Sequence, residues 1–283
     1  MNFSELSKNV SEKCPEVLKA AFQPVEASEV SGDCPTVTKF GGREPFRSSK
    51  FQWPKCSECE KQKTFICQIN ISSLPEQFKL MINRYDGLFQ CFFCLGCMPY
   101  DGCFNDIYFV PESELLPDLQ SLVSKFLFQN SINISRLPQA LKSSLLVQNE
   151  VFKQWDWEGF EEKKVGGWSE LKLEIPSIDE IIDDVEHKIL INTNITEDEL
   201  TDMEEDENSG MGFPSSGIKL GGYIRWCQGV EYPTCPDCEV MMTITFLQLD
   251  NTTLFPFMWG DSGTAHVTLC PQCGRPGLGW ACC

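Results

Sequence analysis

Apolar residues along the chain fall into two spacings, one suited to helices and one to strands. Over residues 1 to about 27, Leu6, Val10, Val17, Leu18, Ala21 and Phe22 recur at helical intervals around Pro15, which predicts one or two short helices broken near that proline. Residues 64–70 mix β-branched and aromatic side chains and predict a strand. A second strand, apolar on both faces, is predicted over 87–94, after a turn favoured by Asn83, Asp86 and Gly87. Helical spacing returns over 109–130 in Leu115, Leu116, Leu119, Leu122, Val123, Phe126 and Leu127, and further helices are predicted over 137–152 and 177–190. In the acidic, glycine-containing stretch between the last two, Trp155, Trp157, Phe160 and Trp168 cluster; aromatic core is the expectation and a partner-binding edge the alternative.

The strand-forming parts recur. KLGG (219–222), Cys235-Pro-Asp-Cys238, Phe246-Leu-Gln-Leu249, Asp261-Ser-Gly263 and Cys270-Pro-Gln-Cys273 follow one another in the order of KFGG (39–42), Cys56-Ser-Glu-Cys59, Ile66-Cys-Gln-Ile69, Asp86-Gly87 and Cys94-Leu-Gly-Cys97. Five features in one order at nearly constant separation point to duplication. The expected fold is therefore α+β: two pseudo-symmetric, mainly antiparallel β lobes with packed helices and two four-cysteine zinc knuckle sites. The boundaries expected are an N-terminal helical cover over 1–34, repeat 1 over 35–110, a helical and connecting region over 111–196, an acidic disordered loop over 197–217 and repeat 2 over 218–283. The loop follows from Glu197, Asp198, Glu199, Asp202, Glu204, Glu205, Asp206 and Glu207, whose repulsion opposes compaction.

Composition narrows the function classes. A hydrophobic content of 42% and a charged content of 23% suit a folded globular chain. The net charge of -18 argues against nucleic acid, whose phosphates need a basic surface, and leaves a basic protein as the expected partner. No apolar run is long enough to span a bilayer, so no membrane association is expected. The N-terminus lacks a basic flank followed by an apolar core, so the 16 cysteines read as cytosolic thiols or metal ligands rather than disulfides. The cytoplasm is the expected compartment and the nucleus the alternative.

Two Cys-x-x-Cys turns can present four thiolates to one ion, and Pro236, Pro271 and Gly274 suit the tight turns that this needs. Cys235, Cys238, Cys270 and Cys273 are the expected ligands in repeat 2. In repeat 1, Cys91, Cys94, Cys97 and Cys103 compete for the second pair. The step from Gly87 to Cys94 equals that from Gly263 to Cys270, which selects Cys56, Cys59, Cys94 and Cys97 and leaves Cys91 as the alternative ligand. Four thiolates fill a tetrahedral ion, so two structural zinc ions are expected; redox dithiols and disulfides are the competing readings. No role is assigned to Cys282 and Cys283. No catalytic constellation emerges, and no catalytic or cofactor-binding residue is assigned. His187 and His266 stand in unlike contexts, and a hydrolase or transferase using His266 with Asp261 is the enzymatic alternative to a protein-interaction module.

KFGGREP, WPKCSEC, FICQIN and DGLFQCFF, with KLGGYIRWCQ and FLQLD in the second half, resemble the YwqG-like family, also called domain of unknown function 1963, whose members are internally duplicated. The Cys-x-x-Cys pairs make the chain similar also to the programmed-cell-death-protein-2 family, although Tyr223 stands where that family has proline. The first resemblance implies a fold with no agreed activity. The second implies a chaperone-like hold on a ribosomal protein.

Overall fold

The computed structural model describes residues 3–27, 35–42, 45–48, 51–99, 106–115, 160–171, 173–183, 188–196, 198–199 and 212–282. The helix expected over 137–152, residues 116–130 of that expected over 109–130, Trp155, Trp157, Cys103, His187, Cys283 and most of the acidic stretch lie outside them.

Ten strands form one sheet: β1 (Ala21–Glu26), β2 (Lys39–Phe40), β3 (Thr64–Asn70), β4 (Leu88–Phe93), β5 (Ile107–Val110), β6 (Lys163–Glu170), β7 (Lys219–Gly221), β8 (Ile244–Leu249), β9 (Thr264–Leu269) and β10 (Pro276–Ala281). Their order is β10-β9-β8-β7-β1-β6-β2-β3-β4-β5, and every ladder between them is antiparallel. Counted outward from the central β1–β6 pair, the first-half and second-half strands succeed one another in the same sequence. The end strands β5 and β10 approach each other, so the sheet nearly closes into a barrel. The described helices are few and short: α1 (Phe3–Lys13), α2 (Glu76–Met81), α3 (Ile178–Asp183) and α4 (Lys188–Thr193).

Burial explains why β3, β4, β8 and β9 read so clearly as strands. β4 and β9 are buried at every position, and β3 and β8 everywhere but at terminal positions, so these segments are mostly apolar on both faces, with a few buried polar residues such as Gln68, Gln90 and Gln248. Both halves contribute to one core. Phe246 of β8 packs against Phe78 of α2 at 5.6 Å between ring centroids, Phe89 of β4 at 4.5 Å and Phe109 of β5 at 6.1 Å. A second, smaller core joins Val10 and Cys14 to Ile175, Ile178, Ile181, Ile189 and Ile195, which places α1 beside α3 and α4.

The register repeats with the sequence. Lys39 pairs with Gln68 as Lys219 pairs with Gln248, and each β-ladder has an irregularity at the same place, between Phe65 and Cys67 and between Thr245 and Leu247. Gln68 Nε2 donates to the Pro35 and Val37 carbonyls at 3.0 Å, and Gln248 Nε2 donates to those of Ser215 and Gly217 at 3.0 Å. Their Oε1 atoms accept from the Phe46 and Arg225 N–H groups. The glycine pairs after the lysines turn with positive φ: 63° and 86° at Gly41 and Gly42, 65° and 65° at Gly221 and Gly222. A Cβ at Gly41 would meet the Glu161 carbonyl oxygen at 2.5 Å, so the close backbone approach requires glycine there.

Three expectations are corrected. The N-terminal helical pattern ends at Val17, and Ala21–Glu26 crosses the middle of the sheet as β1 instead of covering it. Residues 163–170, expected within the helical and connecting region and assigned no strand, form β6, the other central strand, with Trp168 opposite Pro24. In both cases backbone pairing on two sides outweighs a weak local pattern. Residues 212–217, expected within the disordered loop, are held in place: the Ile175 N–H donates to the Gly212 carbonyl, and the Ser215 N–H and Oγ donate to the Glu174 carboxylate at 3.0 and 2.9 Å.

Candidate metal centres

Each Cys-x-x-Cys turn closes by the same backbone bonds. Cys56 N–H donates to the Lys61 carbonyl and Glu60 N–H to the Cys56 carbonyl, as Cys235 N–H does to Val240 and Glu239 N–H to Cys235. Glu60 and Glu239 both take a φ of 59°, and the bridges Lys55–Gln62 and Thr234–Met241 close each loop. Past the second pairs, Met98 N–H returns to the Cys94 carbonyl and Gly274 N–H to that of Cys270, with φ of 44° and 82°. These turns aim successive N–H groups and both sulfurs of a pair to one side.

Two tetrads result: Cys56, Cys59, Cys94 and Cys97, and Cys235, Cys238, Cys270 and Cys273. Within each, the four sulfurs lie within 4.8 Å of one another. The Cys235–Cys273 and Cys238–Cys270 sulfurs are 3.4 Å apart, and the Cys238–Cys273 and Cys59–Cys94 sulfurs 3.8 Å apart. Four thiolates held about 2.3 Å from a zinc-like ion form a tetrahedron with edges of about 3.8 Å, so the donor type, number and spacing suit such an ion. Both tetrads could hold a metal ion. Cys91 stands apart on β4, fully buried opposite Cys67.

Thiol acidity is uneven within each tetrad. Burial pushes the Cys56 thiol up, but N–H groups of Cys59 and Glu58 and the Cys94 and Cys59 thiols hold it at about 7. Burial raises Cys270 too, yet the N–H groups of Cys273 and Gln272 and the Cys238 thiol bring it to about 6. Cys97 is pushed up to about 12, first by its contact with Cys59 and then by burial, and Cys238 to about 12 by burial and Cys270. One thiolate in each tetrad opposes ionisation of its neighbours, which is the repulsion that a divalent cation would relieve. Around the second tetrad, Arg275 Nη1 reaches both carboxylate oxygens of Asp237 at 3.0 and 2.9 Å, tying one cysteine turn to the other.

His266 and Asp261 are not brought together. His266 lies inside β9 between Gln248 and Gly279, its ring edge-on to Trp226 at 5.1 Å, and burial alone lowers its pKa to about 4. Asp261 is exposed in the turn before β9. An acid–base pair needs hydrogen-bond reach between its members, and no bond joins these two among the described residues.

The sequence reading missed two carboxylates. Glu174, 1% exposed, accepts from Lys219 Nζ at 2.8 Å on both oxygens, from Ser215, and from the Tyr223 N–H at 2.8 Å. Glu162 does the equivalent for Lys39 at 2.7 Å, with its side chain 35% exposed. The lysines of KFGG and KLGG were the available signal, since a lysine at a buried strand position demands an anion nearby. A further polar cluster has Tyr232 donating to Glu180 at 3.1 Å and Lys19 above the Tyr223 ring, which seats α3 against the loop ahead of Cys235.

Among the described residues, no helix is long and apolar enough to cross a membrane. No curated protein matches this sequence. A family model does: it matches residues 38–272, from just before KFGG to within the last cysteine pair, and so takes in both lysine–glutamine pairings and all but the last cysteine of the two tetrads. On that match the chain belongs to the family described as domain of unknown function (DUF1963).

Proposed function

We propose that this chain is a non-catalytic, zinc-stabilised protein-interaction module that arose by duplication and holds a basic client in the cytoplasm or nucleus. The observation that carries the zinc part is the pair of all-cysteine tetrads. Four thiolates complete a tetrahedral zinc shell and leave no position for water or substrate, so the ions are structural. Cys56, Cys59, Cys94 and Cys97 hold one ion, and Cys235, Cys238, Cys270 and Cys273 the other. What zinc supplies when bound is a cross-link between chain segments that the unfolded chain cannot hold in place. Duplication is supported by the matching cysteine turns, strand register and glutamine bonds of the two halves.

The client reading rests on charge. A net charge of -18 raises the rate of encounter with cationic partners, and the acidic stretch after Glu197 adds to it. The resemblance to the programmed-cell-death-protein-2 family supports a holding role, with a ribosomal protein as the client that it implies. Elemental mass spectrometry of freshly purified protein is expected to find two zincs per chain, and well under one would end the zinc reading. Affinity purification at about 0.1 M and about 0.5 M salt tests the partner, because electrostatic capture weakens as screening shortens. Absence of any enriched basic protein at low salt would remove the client, and partners unchanged on deletion of 197–210 would remove the acidic stretch from its capture.

A further inference from the structure

The second cysteine pair of each half rests on the other half. Following Cys273, the Gly274 carbonyl accepts from Tyr85 Oη, and the Gln272 carbonyl faces Arg84 Nη1 at 3.5 Å. A Cβ at Gly274 would lie 2.5 Å from the Arg84 side chain, so the turn and Arg84 are in van der Waals contact. Tyr85 in turn stacks on Phe109 of β5, with ring centroids 3.8 Å apart and planes 14° from parallel. Following Cys97, the Pro99 carbonyl accepts from Trp280 Nε1 of β10 at 3.1 Å. Phe93, just before Cys94, meets Trp259 edge-on at 5.1 Å, and Met98 packs on the shared core.

All of these contacts flank the approach of β5 to β10, where no backbone ladder joins the two strands among the described residues. A sheet edge unclosed by hydrogen bonds depends on side chains to stay covered. We propose that the two metal centres are reciprocal latches: each metal fixes a turn of one half that grips the other half, and together they hold the β5–β10 seam shut. Metal loss at one centre is then felt in the opposite half. Without an ion, Cys270–Gly274 is a short turn with few bonds to order it, and its hold on Arg84 and Tyr85 lapses with it. The same holds for Cys94–Pro99 and Trp280. This inference rests on the structural-metal reading above.

Hydrogen exchange followed by mass spectrometry tests it, with zinc content measured on every sample. In Cys270→Ser/Cys273→Ser, exchange is expected to rise by about tenfold or more at 84–86 and 107–110, in the half whose own cysteines are intact. In Cys94→Ser/Cys97→Ser, the rise is expected at 276–281. Because cysteine loss can unfold a small centre outright, Tyr85→Phe and Trp280→Phe supply the decisive pair. Each keeps all eight cysteines and removes one latch bond. Both are expected to retain two zincs per chain while exchange quickens by about tenfold at 107–110 for Tyr85→Phe and at 94–99 for Trp280→Phe, the loss of one hydrogen bond. Full zinc with unchanged exchange in both variants overturns the latch, as does a rise confined to the mutated half in the cysteine variants. A wild-type protein without zinc fails the earlier reading instead, so the two failures are distinguishable.

Discussion

Replacing His266 by glutamine removes a titratable ring from the interior of β9, and the first half shows that the position accepts glutamine: Gln90 faces Gln68 in the register in which His266 faces Gln248. Burial lowers the His266 pKa from 6.5 to about 4, and among the described residues no carboxylate offsets it. In the unfolded chain the ring regains its ordinary pKa of about 6.5. Above pH 6.5 it is neutral in both states and contributes no pH dependence. As pH falls from 6.5 to 4, the unfolded chain binds a proton that the folded chain refuses, so stability is lost across that window and the loss levels off below it. A gap of about two and a half pH units at about 1.4 kcal/mol each amounts to about 3 kcal/mol. Urea unfolding at intervals from pH 7.5 to 4.5 measures it. Acid would also displace a metal held by the cysteines, so the informative quantity is wild type minus His266→Gln, in which that common loss cancels. The variant is expected to fall less steeply, by about 2 kcal/mol at pH 5 relative to pH 7. Parallel pH profiles, or a His266 ring resonance that titrates in the native protein near pH 6.5, would refute the reasoning.

Lys219→Met leaves the Glu174 carboxylate buried without its cation and is expected to cost about 3–5 kcal/mol in chemical denaturation. Lys219→Met combined with Glu174→Leu is expected to recover a substantial part of that; a double variant no better than the single one would count against the pairing. Phe246→Ala removes the ring that Phe78, Phe89 and Phe109 share, for a loss of about 3–5 kcal/mol. Because those partners belong to the first half, fluorescence and far-ultraviolet transitions are expected to shift together, and separate transitions for the two halves would deny the shared core.

By itself the sequence determined the parts whose information is local. A strand buried on both faces must be mostly apolar, so 64–70 and 87–94 could be read without neighbours despite the buried Gln68 and Gln90. The Cys-x-x-Cys turns were legible because a two-residue spacing lets one local turn present both thiolates to one ion, and the repeated order of features selected Cys94 and Cys97 over Cys91. Only the tertiary structure decided the rest. β1 and β6 have little periodicity of their own; the bonds that make them strands come from each other and from β7 and β2, far along the chain. The expected lobes are joined in one sheet because β1 pairs with β6 across the middle and Phe246 lies among first-half rings. Glu174 became the anion for Lys219 through a contact that no local spacing announces. The grip of Tyr85 on Gly274 likewise depends on how the sheet curls, because long-range contact is fixed by packing of the whole and carries no signature in either segment alone.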